Sequence, residues 1–254
     1  MLPFVISEIK NNISEITFGT PKSNSLPGEI LEKLAKTILD EAAKEEVKAI
    51  LLKSEGEKAF CAGASFDELL EINDLETSKT FFGGFAKVLN AMRTCRKIVV
   101  VRVQGKTTGG GVGIACAADY CFATENASLA LTEINLGIGP FVIGPYVERK
   151  IGKSQFTAMA IDADFRSANW AEQHNIYHSV SESIEEMDVK LEKFLETLAS
   201  RSSDALALIK KVSWEGTDHF NELMPARIHM SASLILEDSA KKNIESIKER
   251  LRAK

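Results

Sequence analysis

No stretch of the 254 residues stays apolar for the roughly 20 positions a bilayer crossing needs, which predicts a chain without a membrane span. Excess positive charge is also missing. The 31 Lys and Arg against 36 Asp and Glu leave a net charge of −5, with a pI near 5.6. A broad basic surface for nucleic acid is therefore unattractive, although one local basic pocket for a phosphorylated ligand would fit. The opening MLPFVISEIKNN has no basic segment before its apolar residues and meets acid at once, so it does not read as a signal peptide. The four cysteines, Cys61, Cys95, Cys116 and Cys121, form no C-x-x-C pair, and three lie in apolar or small-residue runs. They read as buried thiols of a cytoplasmic protein rather than as disulfides or metal ligands. The four histidines, His174, His178, His219 and His229, have no metal-site spacing and read as surface or interface residues. No repeat and no low-complexity tract is present.

What remains is an ordinary globular composition, 44% hydrophobic and 26% charged, long enough for one large domain or two small ones. Phe4 and Ile6, then Ile13, Ile16 and Phe18 after a polar KNN turn, predict an edge β-hairpin. Ile30, Leu34, Ile38 and Leu39 recur at helical spacing between Glu29 and Glu46. VKAILLKS and KIVVVRVQ are continuous apolar runs, the mark of strands buried on both faces. SKTFFGGFAKVLNAMRTC between them is helical, and a short helix (Val112 to Ala118) and the strands YCFAT and SLALTE come after. Alternation of this kind predicts an α/β fold with parallel pairing. Beyond GIGPFVIGPYVERKIG the chain is mostly helical, and SRSS near residue 200 is the only weak hinge. The division expected is an α/β core over 1–200 and a helical region over 201–254.

Two glycine-bearing turns carry the chemistry. GKTTGGGVGIACAADY joins a buried strand to a helix of small residues, and KAFCAGASFDELL places Gly63 in a similar turn. A P-loop would need glycine where Val100 stands. A dinucleotide fingerprint would need it at Ile114 or Cys116, so both fail. Two readings stay open. The glycines permit tight packing of a small-residue helix, or they let N–H groups at a helix start approach a ligand oxygen that gains negative charge.

Taken together these stretches resemble the crotonase superfamily, the enoyl-CoA hydratase/isomerase family. KAFCAGASF is similar to its first oxyanion-hole segment, GKTTGGGVGIACAADY to its second, and ASLALTEINLGIGP to the stretch carrying an acid/base glutamate. KIGKS and RSANWAEQHNIYHSV resemble the run into the region where trimers assemble. The resemblance covers nearly the whole chain. It implies a ββα spiral with a C-terminal helical oligomerisation region, assembled as a homotrimer or dimer of trimers. It also implies an acyl-CoA or acyl-carrier thioester as ligand, with coenzyme A part of the substrate and no separate cofactor. Nucleic acid, membrane and metal are not expected. The N–H groups of Ala64 and Gly110 would hold the thioester oxygen, Glu133 would carry the proton, and Lys22, Ala62, Gly109 and Phe141 would contact substrate.

The sequence departs from that pattern where it matters most. Hydratases of the family hold a water between two glutamates, and the first of these positions is Gly113 here. One carboxylate suffices to move a proton between two carbons, so double-bond isomerisation is preferred to hydration, branched substrates such as methylglutaconyl-CoA included. Acyl-thioester decarboxylation and a non-catalytic acyl-CoA-binding scaffold stay open. Gly113→Glu is expected to favour hydration if the pocket has room. Asp67, Glu68, Tyr146 and Glu148 could replace the missing acid but read as solvated helix faces. Ser65 stands where an ordering aspartate is common and Asp67 where a phosphate-binding lysine is often found. CoA docking would fall to Lys22 and the basic tail SIKERLRAK.

Overall fold

The computed structural model describes residues 2–252. It opens with the antiparallel hairpin of β1 (Phe4–Lys10) and β2 (Ile13–Gly19). Asn11 and Asn12 both take positive φ, 49° and 65°, the two-residue turn that matches strand twist. Val5, rather than Phe4 or Ile6, is the inward residue of β1, and Ile6 is exposed. In α1 (Gly28–Ala43) the buried stripe is Ile30, Leu31, Leu34, Ala35 and Ile38, with Leu39 turned to solvent.

Three successive units follow, each a strand in a large sheet, a short strand in a small sheet, and then helix. The first is β3 (Ala49–Ser54), β4 (Ala59–Cys61), α2 (Phe66–Glu71) and α3 (Leu75–Thr94). The second is β5 (Ile98–Val103), β6 (Lys106–Thr108) and α4 (Gly110–Ala117). The third is β7 (Tyr120–Thr124), β8 (Ser128–Ala130), a 3₁₀ turn at Glu133–Leu136 and α5 (Gly144–Asp162). The helical part continues through β9 (Arg166–Ser167), α6 (Ala168–Gln173), β10 (Ser179–Ser181), α7 (Ile184–Ser200), α8 (Ser203–Ser213), α9 (Phe220–Leu234) and α10 (Asp238–Arg252).

The large sheet has the order β1-β2-β3-β5-β7-β10, parallel from β2 onward. The small sheet runs β4-β6-β8-β9, parallel apart from the β8–β9 pair. The crossing between sheets explains Gly105, since a methyl group there would sit 2.3 Å from the Lys58 carbonyl oxygen. Only a residue without a side chain lets the two backbones pass this closely.

One face of the large sheet packs on α1, α3 and α4 around Phe18, Ile50, Leu89 and Val101. The other packs under α7 through Leu51, Val100, Met187 and Leu191. All eight residues of α4 are buried, as a helix apolar on every side must be. The four cysteine thiols are buried and free, and among the described residues no helix is long and apolar enough to cross a membrane. Helices α9 and α10 fold onto their own chain. Ser78 donates to the Ala232 carbonyl across α3 and α9 (3.1 Å), and α10 packs over Gly137 through Ala240.

Candidate active site

Strand register builds the site. Pairing Cys61 with Thr107, and Thr108 with Ala130, makes three parallel strands end side by side. The residues just past those ends, 62–64, 109–110 and 131–133, are therefore neighbours. The edge beyond the carboxyl ends of parallel strands is where α/β sheets bind ligands. Lys22, Ala62, Ala64, Gly109, Gly110, Glu133 and Phe141 all line one cavity there, of about 730 Å³. That volume lies within the ~300–1,000 Å³ typical of small-molecule sites. Phe81, Phe82, Phe85, Leu136, Ile138 and Ile247 give it apolar walls.

The two glycine turns touch. A methyl group on Gly63, whose φ is +83°, would stand 3.3 Å from the Thr108 carbonyl oxygen and 3.7 Å from the Gly110 nitrogen. Both sides of the Ala64 peptide are pinned, because Leu26 donates to the Gly63 carbonyl (2.8 Å) and Ser65 donates to the Leu26 carbonyl (3.0 Å). Among the described residues no acceptor takes the N–H of Ala64 or of Gly110. Gly110 opens α4, where the first N–H groups lack intrahelical partners and the helix dipole is positive. The packing reading of the glycines applies at one position, and at two others the open backbone borders the cavity. Gly111 serves packing, its missing methyl group lying 2.7 Å from the Cys61 carbonyl oxygen. Gly109 and Gly110 face the cavity.

Glu133 opens the 3₁₀ turn, which Gly137 closes in the left-handed region at φ 84°. Its Oε1 lies 3.3 Å from where a side chain on Gly109 would begin, and its Oε2 is buried with no hydrogen-bond partner. Burial pushes its carboxyl up to about 7 from the ordinary value of 4.5. A base near neutrality, lining the same cavity as two open N–H donors, can accept and return a proton next to a polarised carbonyl.

The space expected for a second acid is filled. A side chain starting at Gly113 would meet Ile143 Cγ2 at 2.7 Å, Ile143 Cβ at 3.0 Å and Leu89 Cδ1 at 3.2 Å. The condition on which Gly113→Glu is expected to favour hydration, room in the pocket, is therefore not met. Glu68 and Glu148 do not reach the site, and Asp67 lines only its mouth, paired with Lys22. Glu68 accepts from the Gly28 N–H (2.8 Å) and ties α1 to α2. Glu148 pairs with Lys153 (3.8 Å) along a second cavity behind the Ile138–Phe141 wall. Tyr146 corrects the solvated-face reading outright. It is 1% exposed and packs edge-on to Phe220 (5.2 Å) and Trp214 (6.1 Å).

At the mouth Lys22 is ion-paired with Asp67, so the local charge there is neutralised. Ser65 caps α2 by accepting from the Glu68 N–H (3.4 Å), which gives the loop its order without an aspartate. In the basic tail Lys248 pairs with Glu245 (3.5 Å) and Arg250 bonds the Ser246 carbonyl (3.3 Å). The side chains of Leu251 and Arg252, and Ala253 and Lys254 entirely, lie outside the described residues. Sequence reasoning places Ile143 in the apolar pocket near Glu133 but misses two contacts: the Phe85 ring would lie 2.3 Å from a methyl group on Gly110, and Ile143 lies against Gly113. Both come from elements distant in sequence, and no local motif marks them.

Known proteins fit this geometry. A short-chain-enoyl-CoA hydratase of Clostridium acetobutylicum is 34% identical over 168 residues, spanning 63% of this chain and 64% of that protein, just under two thirds of its length. A trans-2-decenoyl-[acyl-carrier-protein] isomerase of Streptococcus mutans is 25% identical over 260 residues, spanning 98% and 97%. The crystal structure of enoyl-CoA hydratase from Bacillus halodurans superposes with a TM-score of 0.88 at 20% identity, covering 95% of this chain and 99% of that one, a likeness of fold. The enoyl-CoA hydratase/isomerase family model matches residues 8–254, nearly the whole chain, and this chain belongs to that family, within the crotonase superfamily.

Proposed function

We propose that this chain is an enzyme that moves a C=C bond along the acyl chain of an enoyl thioester carried on coenzyme A or an acyl-carrier protein. The single observation that carries this reading is the carboxylate of the half-buried Glu133, whose Oε2 is buried without a partner in an otherwise largely apolar cavity. Glu133 removes the C4 proton of a 2-enoyl thioester. The C4–H electron pair becomes the C3=C4 bond, the C2=C3 pair shifts to C1=C2, and the thioester oxygen takes the negative charge. The N–H groups of Ala64 and Gly110 hold that oxygen, an interaction whose loss typically costs ~10²–10³ in rate. Return of the proton from Glu133 to C2 restores the carbonyl and leaves a 3-enoyl thioester.

Alignment over 98% of the chain with a decenoyl isomerase supports this chemistry and a medium-length acyl group. Hydration is the second reading, favoured by the 34% identity to a hydratase. Assembly of subunits as trimers or dimers of trimers belongs to the same reading, and the exposed Leu208, Ile209 and Val212 on α8 support it. The test is Glu133→Gln assayed on trans-2- and cis-3-decenoyl thioesters of CoA and of a carrier protein. Turnover is expected to fall by roughly 10²–10⁴-fold with thioester binding retained. Undiminished turnover would overturn the assignment of Glu133.

A further inference from the structure

We propose that Ile143 is the specificity-determining residue of this site, an apolar plug that denies water a place beside the enoyl chain and so confines the reaction to proton transfer. The inference rests on the isomerase reading above and deepens it. Residues 109 and 113 are four apart across the start of α4, joined by a bond from the Gly113 N–H to the Gly109 carbonyl (3.4 Å). Glu133 Oε1 lies against the first and Ile143 against the second. Ile143 and the Glu133 carboxyl thus lie against two backbone positions joined by that bond, and both line the same cavity.

A water poised to attack C3 needs two or more polar partners. One could be Glu133. On the Gly113 side the wall offers Val142 and Ile143, with Leu89 packed beneath. Nor is the plug soft. Ile143 is 3% exposed, and its carbonyl accepts from the N–H groups of Tyr146 (3.0 Å) and Val147 (3.1 Å), which fixes its backbone at the start of α5. Its branched Cβ, 3.0 Å from where a side chain at 113 would begin, has little rotational freedom with which to retreat. Hydration would add the hydroxyl of a solvent water to C3 and a proton to C2. Isomerisation needs no water, and this wall selects it.

The experiment compares the parent with Ile143→Ala and Ile143→Ser on trans-2-decenoyl-CoA, resolving 3-hydroxy product from 3-enoyl product by mass. The hydrate-to-isomer ratio is expected to rise about tenfold or more, most for the serine variant, which also offers water a partner. A parent that isomerises while both variants give an unchanged ratio overturns the role of Ile143 alone. A parent that mainly hydrates overturns it as well. A parent yielding neither product retires the isomerase reading and this inference with it. Thermal unfolding guards against variants that merely fold badly. Gly113→Ala should lower Tm in the parent and lower it distinctly less in the Ile143→Ala background, and equal losses would show that Ile143 does not fill the space at 113.

Discussion

At the scale of single residues, the burial that gives Glu133 its chemistry also makes it a liability of known sign. Its carboxyl titrates near 7 in the folded chain against about 4.5 when unfolded. Between those values the folded state holds a proton that the unfolded state has released. The stabilising contribution is complete below pH 4.5 and is lost as pH rises through 7. Glu133→Gln cannot ionise, so relative to the parent it should gain stability between pH 5 and pH 8, by up to ~3 kcal/mol. Urea unfolding at the two pH values checks this, and a parent-to-variant gap that does not change with pH would sink it. Because only the ionised form accepts a proton, kcat/KM of the parent should climb through about pH 7 and then level. That Glu133, Ala64 and Gly110 would lie together was legible because each sits in a local motif whose spacing survives in the sequence. The packing of Ile143 against Gly113 was not, because it is a contact between α4 and the start of α5 that no spacing encodes.

At the scale of elements, the closing edge of the large sheet depends on one imidazole. His178 was read as a surface or interface residue. Instead it stacks on Tyr120 (4.7 Å), its Nδ1 accepts from the Cys121 N–H (3.0 Å) and its own N–H donates to the Cys121 carbonyl (2.8 Å). Burial, aided by Lys150 and opposed by Asp119, lowers its titration to about 4 from 6.5. The contribution is present above pH 6.5 and is lost as pH falls through 4. On acidification β10 and α7 should exchange their amide hydrogens before β3 and β5 do, and His178→Phe should remove that pH dependence. Simultaneous opening of all strands would refute the assignment. The strands that bury both faces, β3 and β5, were readable from AILLKS and IVVVRV. The three-residue β4 and β6 were not, because three residues hold no periodicity, and with them went the division into two sheets. Helix α4 begins at Gly110, two residues before its expected start. Docking of Gly111 against the Cys61 carbonyl overrides glycine's poor helix propensity.

For the molecule as a whole, the question is what fastens α8, the first of the C-terminal helices, to the α/β core, and a buried ion pair answers it. Lys210 Nζ lies 2.8 Å from Asp119 Oδ2, with side chains 3% and 9% exposed. The ammonium also donates to the carbonyls of Met92 (2.6 Å) and Lys97 (2.8 Å). Asp119 in turn accepts from Trp214 Nε1 (2.9 Å) and the Val99 N–H (2.8 Å), and Arg149 covers the Trp214 ring at 4.0 Å. A charge pair this dry is not stabilising merely by existing, since desolvation offsets much of its attraction. Breaking it is another matter. Lys210→Met would leave Asp119 charged and uncompensated and two carbonyls without their donor, at a cost of about 3–5 kcal/mol. Lys210 is the one buried residue of α8, whose Leu208, Ile209 and Val212 face outward, so apolar contact has little to substitute for it. Adding Asp119→Asn to Lys210→Met should recover part of the loss, because the stranded charge disappears. Guanidinium unfolding of the three proteins decides the matter. A single-variant loss under ~1 kcal/mol, or no recovery in the double variant, would mean that α8 is held by something other than this pair.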